Sequence, residues 1–265
     1  MTATRPRGAK NREKRMSLGE HLRELRKRLF IGGAAILVGA GIGLWQANLI
    51  LDAIRGPIEQ ITRDHGVSLT YATITSSFDL RMQVGLTVGI VLTCPIWLYQ
   101  IFAFFVPGLN KKERRYTFAF FLSAVPLFIA GCAAGWFVLP NIVRLMLGFV
   151  PSEDLALLDA KLYYDFVLKL MLAVGVAFVV PVFIVLLNFT GILTAKAIIK
   201  GWRVAVLLIT LFTAIATPAA DVISMFLLAV PMVALYFLAW FIAWLHDRRL
   251  AKRQIAEYGT ALSES

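Results

Sequence analysis

From Leu29 to Leu51 the chain carries no charged side chain, and this stretch exceeds the ~20 residues that a helix needs to cross a hydrocarbon core. A soluble domain would have to bury such a segment on every side. That is not feasible here, because 59% of the 265 residues are hydrophobic and only 16% charged, too little polar surface to coat a water-soluble domain of this size. Leu29 to Leu51 is therefore read as membrane span one. It is longer than the ~7–15 apolar residues of a cleavable secretory signal, and no small-residue cleavage pattern follows it before Asp52.

Comparable stretches recur at about Phe78 to Val106, Tyr116 to Phe149 and Asp165 to Gly191, then at Val204 to Ala216 and Val222 to Leu245. The expected fold is an all-α membrane protein of six transmembrane helices. A basic arm, residues 1–16, precedes a membrane domain over 17–245, and a basic tail follows over 246–265. Proline lies in or beside five of the spans, at Pro95, Pro126, Pro140, Pro181, Pro218 and Pro231. Each removes a backbone donor and bends its helix, so a kinked, concave bundle is expected rather than a set of straight rods. Span five is short: the residues between Arg203 and Pro218 rise only ~21 Å as a helix, against a core of ~30 Å.

Orientation follows from the bases, because loops rich in Lys and Arg stay on the cytoplasmic side. Of the 27, ten lie before Leu29, four at 111–115, three at 196–203 and four at 248–253, leaving six for the alternate loops. Acids included, one side carries +14 and the other −3. Both ends of the chain are thus expected on the cytoplasmic side. Charge clustered in this way is an orientation signal and an attraction to anionic lipid, not the uniform basic coat of a nucleic-acid binder. Cys94 and Cys132 sit in apolar stretches without a CxxC or Cys/His partner, and are read as small buried hydrophobes. No metal, cofactor or catalytic constellation is indicated: there is no HExxH, no GxSxG elbow and no pair of mid-span aspartates.

Two polar segments on the basic side are the most informative. In Ser17-Leu18-Gly19-Glu20-His21-Leu22-Arg23-Glu24-Leu25-Arg26-Lys27-Arg28-Leu29, Ser17 and Glu20 have capping-box spacing, and the four leucines form one stripe. That pattern predicts a short amphipathic helix able to lie on the membrane surface before span one. Glu24 falls roughly opposite the stripe, where an ion pair with Lys27 or Arg28 one turn on would contribute only ~0.3–0.5 kcal/mol. The second segment, Phe104 to Tyr116, has a Pro107-Gly108 break and then a helix start at Asn110, with Glu113 alone among four bases and at capping distance from Asn110.

The run His21 to Leu29, then Tyr99-Gln100-Ile101-Phe102-Ala103-Phe104 leading to Pro107-Gly108-Leu109 and Lys112-Glu113-Arg114-Arg115, resembles the signature segments of the TatC family, the membrane core of the twin-arginine protein translocase. The resemblance extends from about Ser17 to Leu245 and includes Pro57, the region before Pro181 and the turn from Thr217-Pro218 to Asp221. It implies a receptor for the paired arginines of signal peptides on folded cargo, in the plasma membrane of a bacterium or its archaeal or organellar equivalent. It further implies a hetero-oligomer with single-span TatA/TatB-type proteins, and no partner nucleic acid. By the family pattern Glu24 and Glu113 would receive the two arginines, with Arg26, Phe104 and Lys111 nearby. Pro57, Asp221 and Gln100 are candidates for partner contacts or structural roles. A guanidinium presents a planar fork that a carboxylate accepts in pairs, which lysine cannot reproduce.

One departure is apolar: Val180 stands ahead of Pro181, where many family members carry an acidic or amide side chain. Asp221 also fits a plain helix cap. Lys169 is expected to snorkel towards the outer interface, and Gln83, Gln100 and Asn188 to bond between helices. The rival reading is a small secondary transporter with a substrate site at the bilayer midplane. An intramembrane hydrolase is weaker still.

Overall fold

The computed structural model describes residues 18–65, 68–71, 73–105, 111–148, 157–217 and 222–263. Among them, α1 (Leu18–Trp45) and α2 (Ala47–His65) are followed by β1 (Ser68–Thr70), α3 (Ile74–Leu92), α4 (Cys94–Phe105) and α5 (Lys111–Leu147). Then come β2 (Leu157–Asp159), α6 (Ala160–Phe189), α7 (Ala195–Lys200), α8 (Trp202–Ala216) and α9 (Val222–Ser263). The helices α1, α5, α6 and α9 are each long and apolar enough to cross a membrane, α3 and α4 qualify as one bent pair, and α8 is a shorter apolar helix. These correspond to the six expected spans, and the short one is the fifth. Large apolar side chains lie exposed along every one of them, as a lipid-facing surface requires.

The structure differs from the sequence reading in four places. No separate surface helix precedes span one: α1 continues unbroken from Leu18 past Arg28. No proline interrupts it, and continuing the helix satisfies each backbone amide internally. It ends at Trp45, so Ala47 to Leu51, expected in span one, opens α2 instead. The two strands, three residues each, pair in parallel with Ser68 opposite Leu157 and Thr70 opposite Asp159. Such short strands carry no periodicity to read. Finally, α9 runs through the expected basic tail as far as Ser263.

Span two bends by 59° between α3 and α4. Pro95 has no amide hydrogen, so the ladder cannot pass through it. Thr93 absorbs the break: its hydroxyl and amide both donate to the Gly89 carbonyl, at 2.7 and 3.0 Å, and its own carbonyl accepts from Ile96 and Trp97. The Trp97 indole N–H donates to the Ile90 carbonyl at 2.8 Å. Such rescue of freed carbonyls is what permits a broken helix at membrane depth.

Two glycine seams hold the bundle. A Cβ on Gly89 would lie 2.5 Å from the Ala40 nitrogen and 2.7 Å from the Ile36 carbonyl oxygen, so α1 and α3 touch backbone to backbone. On the α5–α6 seam, a Cβ on Gly131 would lie 2.7 Å from the Val174 carbonyl oxygen. Small residues of this kind let membrane helices gain dispersion energy by close approach. Cys132 is buried on the same seam and Cys94 on α4, both in one apolar cluster with Phe102 and Phe128.

Candidate functional site

Helical spacing brings Glu20, Arg23, Glu24, Lys27, Arg28 and Ile31 of α1 to one cavity of about 430 Å³, closed on the far side by Gln100 of α4. The bend at Thr93 aims α4 so that its last turn reaches α1 here, and the His21 ring stacks on Phe104 with centroids 4.4 Å apart. Glu24 is the best buried acid of the group, with one fifth of its side chain exposed. Its Oε1 accepts from Arg28 Nε at 3.1 Å, and Arg28 Nη2 approaches the same oxygen. Oε2 is buried and has no hydrogen-bond partner among the described residues. A carboxylate oxygen without a donor is costly, and a cavity rich in charge stands beside it.

Among the residues singled out in the sequence, Glu24 and Gln100 are brought together in this cavity, and Phe104 stacks on His21 of α1. Arg26 does not join them: two positions on from Glu24, it lies on the other side of α1, its guanidinium 6.0 Å from the Phe30 ring centroid. Lys111 and Glu113 lie in the first turn of α5, and Pro57 in α2, but their side chains fall outside the described residues, as does Asp221 entirely. Sequence reasoning gave no role to His21, and took Lys27 and Arg28 only as possible salt-bridge partners of Glu24. The i, i+3, i+4 and i+7 spacing of 20, 23, 24, 27 and 31 was a signal that could have found the cavity wall.

A second polar cluster lies at the same end of the bundle. The Asn188 side-chain amide donates to the Leu193 carbonyl at 2.8 Å and to Asp247 Oδ1 at 2.9 Å, while Asp247 Oδ2 accepts the Ala195 amide at 2.8 Å. His246 stacks on Phe189 at 3.8 Å and lies 3.2 Å from the Asn188 amide oxygen. The expectation that Asn188 bonds between helices holds; Asp247 and His246 were counted as tail residues. At the opposite end, Lys161 pairs with Asp79 at 2.7 Å and Lys169 with Asp165 at 3.5 Å. Lys169 thus reaches back one turn towards its helix's start, the direction expected of a snorkelling lysine. An open apolar groove of about 370 Å³ lies between α6, α8 and α9, with Val180 and Pro181 in its wall. Tyr236 also lines it, and its hydroxyl donates to the Ile198 carbonyl at 2.6 Å.

Residues 20–231 match the family model described as Sec-independent protein translocase protein (TatC). The Sec-independent protein translocase protein TatC of Xylanimonas cellulosilytica is 41% identical over 247 residues, covering 92% of this chain and 90% of that one. That of Aquifex aeolicus is 32% identical over 244 residues, covering 91% and 100%. A crystal structure of the twin arginine translocase receptor TatC in DDM superimposes with a TM-score of 0.73 at 31% identity, covering 84% of this chain and 99% of the other. With the family model spanning most of its length, and fold and sequence agreeing, the chain belongs to the TatC family of translocase membrane proteins.

Proposed function

We propose that the α1–α4 cavity is the receptor site for twin-arginine signal peptides of folded cargo, on the cytoplasmic side of the membrane. The observation that carries this reading is the state of Glu24: one oxygen held by Arg28, the other buried beside the cavity without a donor among the described residues. An incoming guanidinium supplies that donor. Because the fork of a guanidinium matches a carboxylate edge, arginine gains two aligned hydrogen bonds where lysine gains one mobile contact. Glu113, at the start of α5, is the second acid in this reading and takes the second arginine. The 21 bases against 6 on the alternate sides of the membrane support a site that faces the cytoplasm. The partners are single-span TatA/TatB-type proteins, in a hetero-oligomer that moves folded proteins without covalent chemistry of its own.

The transporter alternative has no comparable support. The groove between α6, α8 and α9 is apolar, and its one tyrosine hydroxyl is already bonded to Ile198. The test is site-specific crosslinking of signal peptides to the full chain in lipid nanodiscs, comparing Arg-Arg with Lys-Lys peptides on wild type, Glu24→Ala and Glu113→Ala. The receptor reading expects the Arg-Arg peptide to crosslink near Phe104, and both alanine changes and the lysine swap to weaken it. Crosslinking indifferent to all three would return the two acids to roles as helix caps.

A further inference from the structure

A second cavity, about 450 Å³, adjoins the first on the lipid-facing side of α1 and α4, and Arg28 and Gln100 border both. Its walls are almost wholly apolar, with Leu29, Gly32, Gly33 and Ile36 from α1 facing Trp97 and Ile101 from α4. The two glycines make it deep. A Cβ on Gly33 would meet nothing within 4 Å, so the groove is open space at that point and not packed protein. Trp97 is fixed by its bond to the Ile90 carbonyl and forms a rigid back wall.

We propose that this groove holds one acyl chain of an anionic phospholipid, with the headgroup phosphate lying past Arg28 in the adjoining cavity, against Arg23 and Lys27. The length fits: from Lys27 to Ile36 the helix rises about 13 Å, close to one leaflet of a ~30 Å hydrocarbon core. The charge fits as well. Arg28 is engaged by Glu24, whereas Arg23 and Lys27 are exposed and make no ion pair or hydrogen bond among the described residues. Two such bases at the membrane surface favour an anionic headgroup and disfavour one that adds a cationic group. A buried-tail, basic-mouth site of this kind selects a lipid by headgroup charge and holds it by its chain.

The inference shares Arg23 and Lys27 with the cavity of the receptor reading, but it is tested without a peptide, so either can fail alone. The test uses the full chain in detergent, equilibrated with equal amounts of phosphatidylglycerol and phosphatidylcholine and examined by native mass spectrometry. The expected result is one retained phosphatidylglycerol, favoured over phosphatidylcholine on the order of tenfold. Two variants act on opposite ends of the site: Gly33→Phe projects a ring into the groove from a position whose Cβ meets no protein atom, and Arg23→Gln with Lys27→Gln removes the phosphate partners from the adjoining cavity. Each is expected to abolish the preference, with the thermal melting of the second variant unchanged. Equal retention of both lipids, a preference that survives in the surface double variant, or occupation of the groove by a second copy of the chain would overturn the proposal.

Discussion

Asp247 accepts the backbone amide of Ala195 at 2.8 Å, so a side chain of α9 caps the start of α7, 52 residues earlier in the chain. The same carboxylate holds Asn188 of α6, and three helices meet at one group. Replacing Asp247 with alanine leaves an amide and the Asn188 side chain short of an acceptor. The expected cost is about 1–2 kcal/mol of stability, measured by thermal melting in detergent. Asn188→Ala in the Asp247→Ala background is expected to add less than it costs alone, since the two share a bond. Fully additive losses would show that the junction is not a unit.

The α1–α3 seam makes a sharper claim. Gly89→Ala puts a methyl 2.5 Å from the Ala40 nitrogen and forces the helices apart, at an expected cost of about 1–3 kcal/mol. Gly41→Ala, on the same pair of helices, adds a methyl to open space and is expected to leave melting unchanged. Equal behaviour of the two variants would count against backbone contact as what holds the seam.

At the bend of span two, Trp97→Phe keeps the ring and removes the donor to the Ile90 carbonyl. That carbonyl then lies in an apolar setting without a partner, a loss of about 1–3 kcal/mol. A variant that melts like wild type would mean that another group satisfies Ile90.

The Asp79–Lys161 pair serves as a contrast. Half of the Asp79 side chain and a third of Lys161 are exposed, so solvent screens their attraction. Asp79→Asn is expected to change stability by less than about 0.5 kcal/mol, and a loss several times larger would show a structural role that the geometry does not indicate.

Arg28 competes with any guanidinium that approaches Glu24. Arg28→Gln removes that competitor, and because an i, i+4 pair along a helix contributes only ~0.3–0.5 kcal/mol, the Arg-Arg peptide is expected to bind about twofold more tightly. Titration by fluorescence anisotropy reads the change. Weaker binding would mean that Arg28 positions Glu24 instead of competing for it.

Much of this arrangement was legible in the sequence because the bilayer allows few solutions. Uncharged length gave the spans, and Arg203 and Pro218 bracketed the short one. Glu24 was found, with Arg28 as one of two partners offered by helical spacing. The bend at Thr93 was foreshadowed by Pro95 but not its angle, which depends on how Trp97 and Thr93 satisfy freed carbonyls. Arg26 was grouped with Glu24 by resemblance alone, and helical geometry sends it to the Phe30 side. The β1–β2 pair and the Asp247 junction were not legible, since both depend on contacts between segments far apart in the chain.

Beyond Leu245, α9 continues as helix for some eighteen residues, about 27 Å, out of the span to which it belongs. Its base is clamped at Asp247 to α6 and α7, and α7 leads directly into α8. A rod anchored this way is a lever. A tilt of about 5° at the clamp carries the tip roughly 2 Å sideways, so whatever leans on the far end of α9 delivers torque to the shortest span of the bundle.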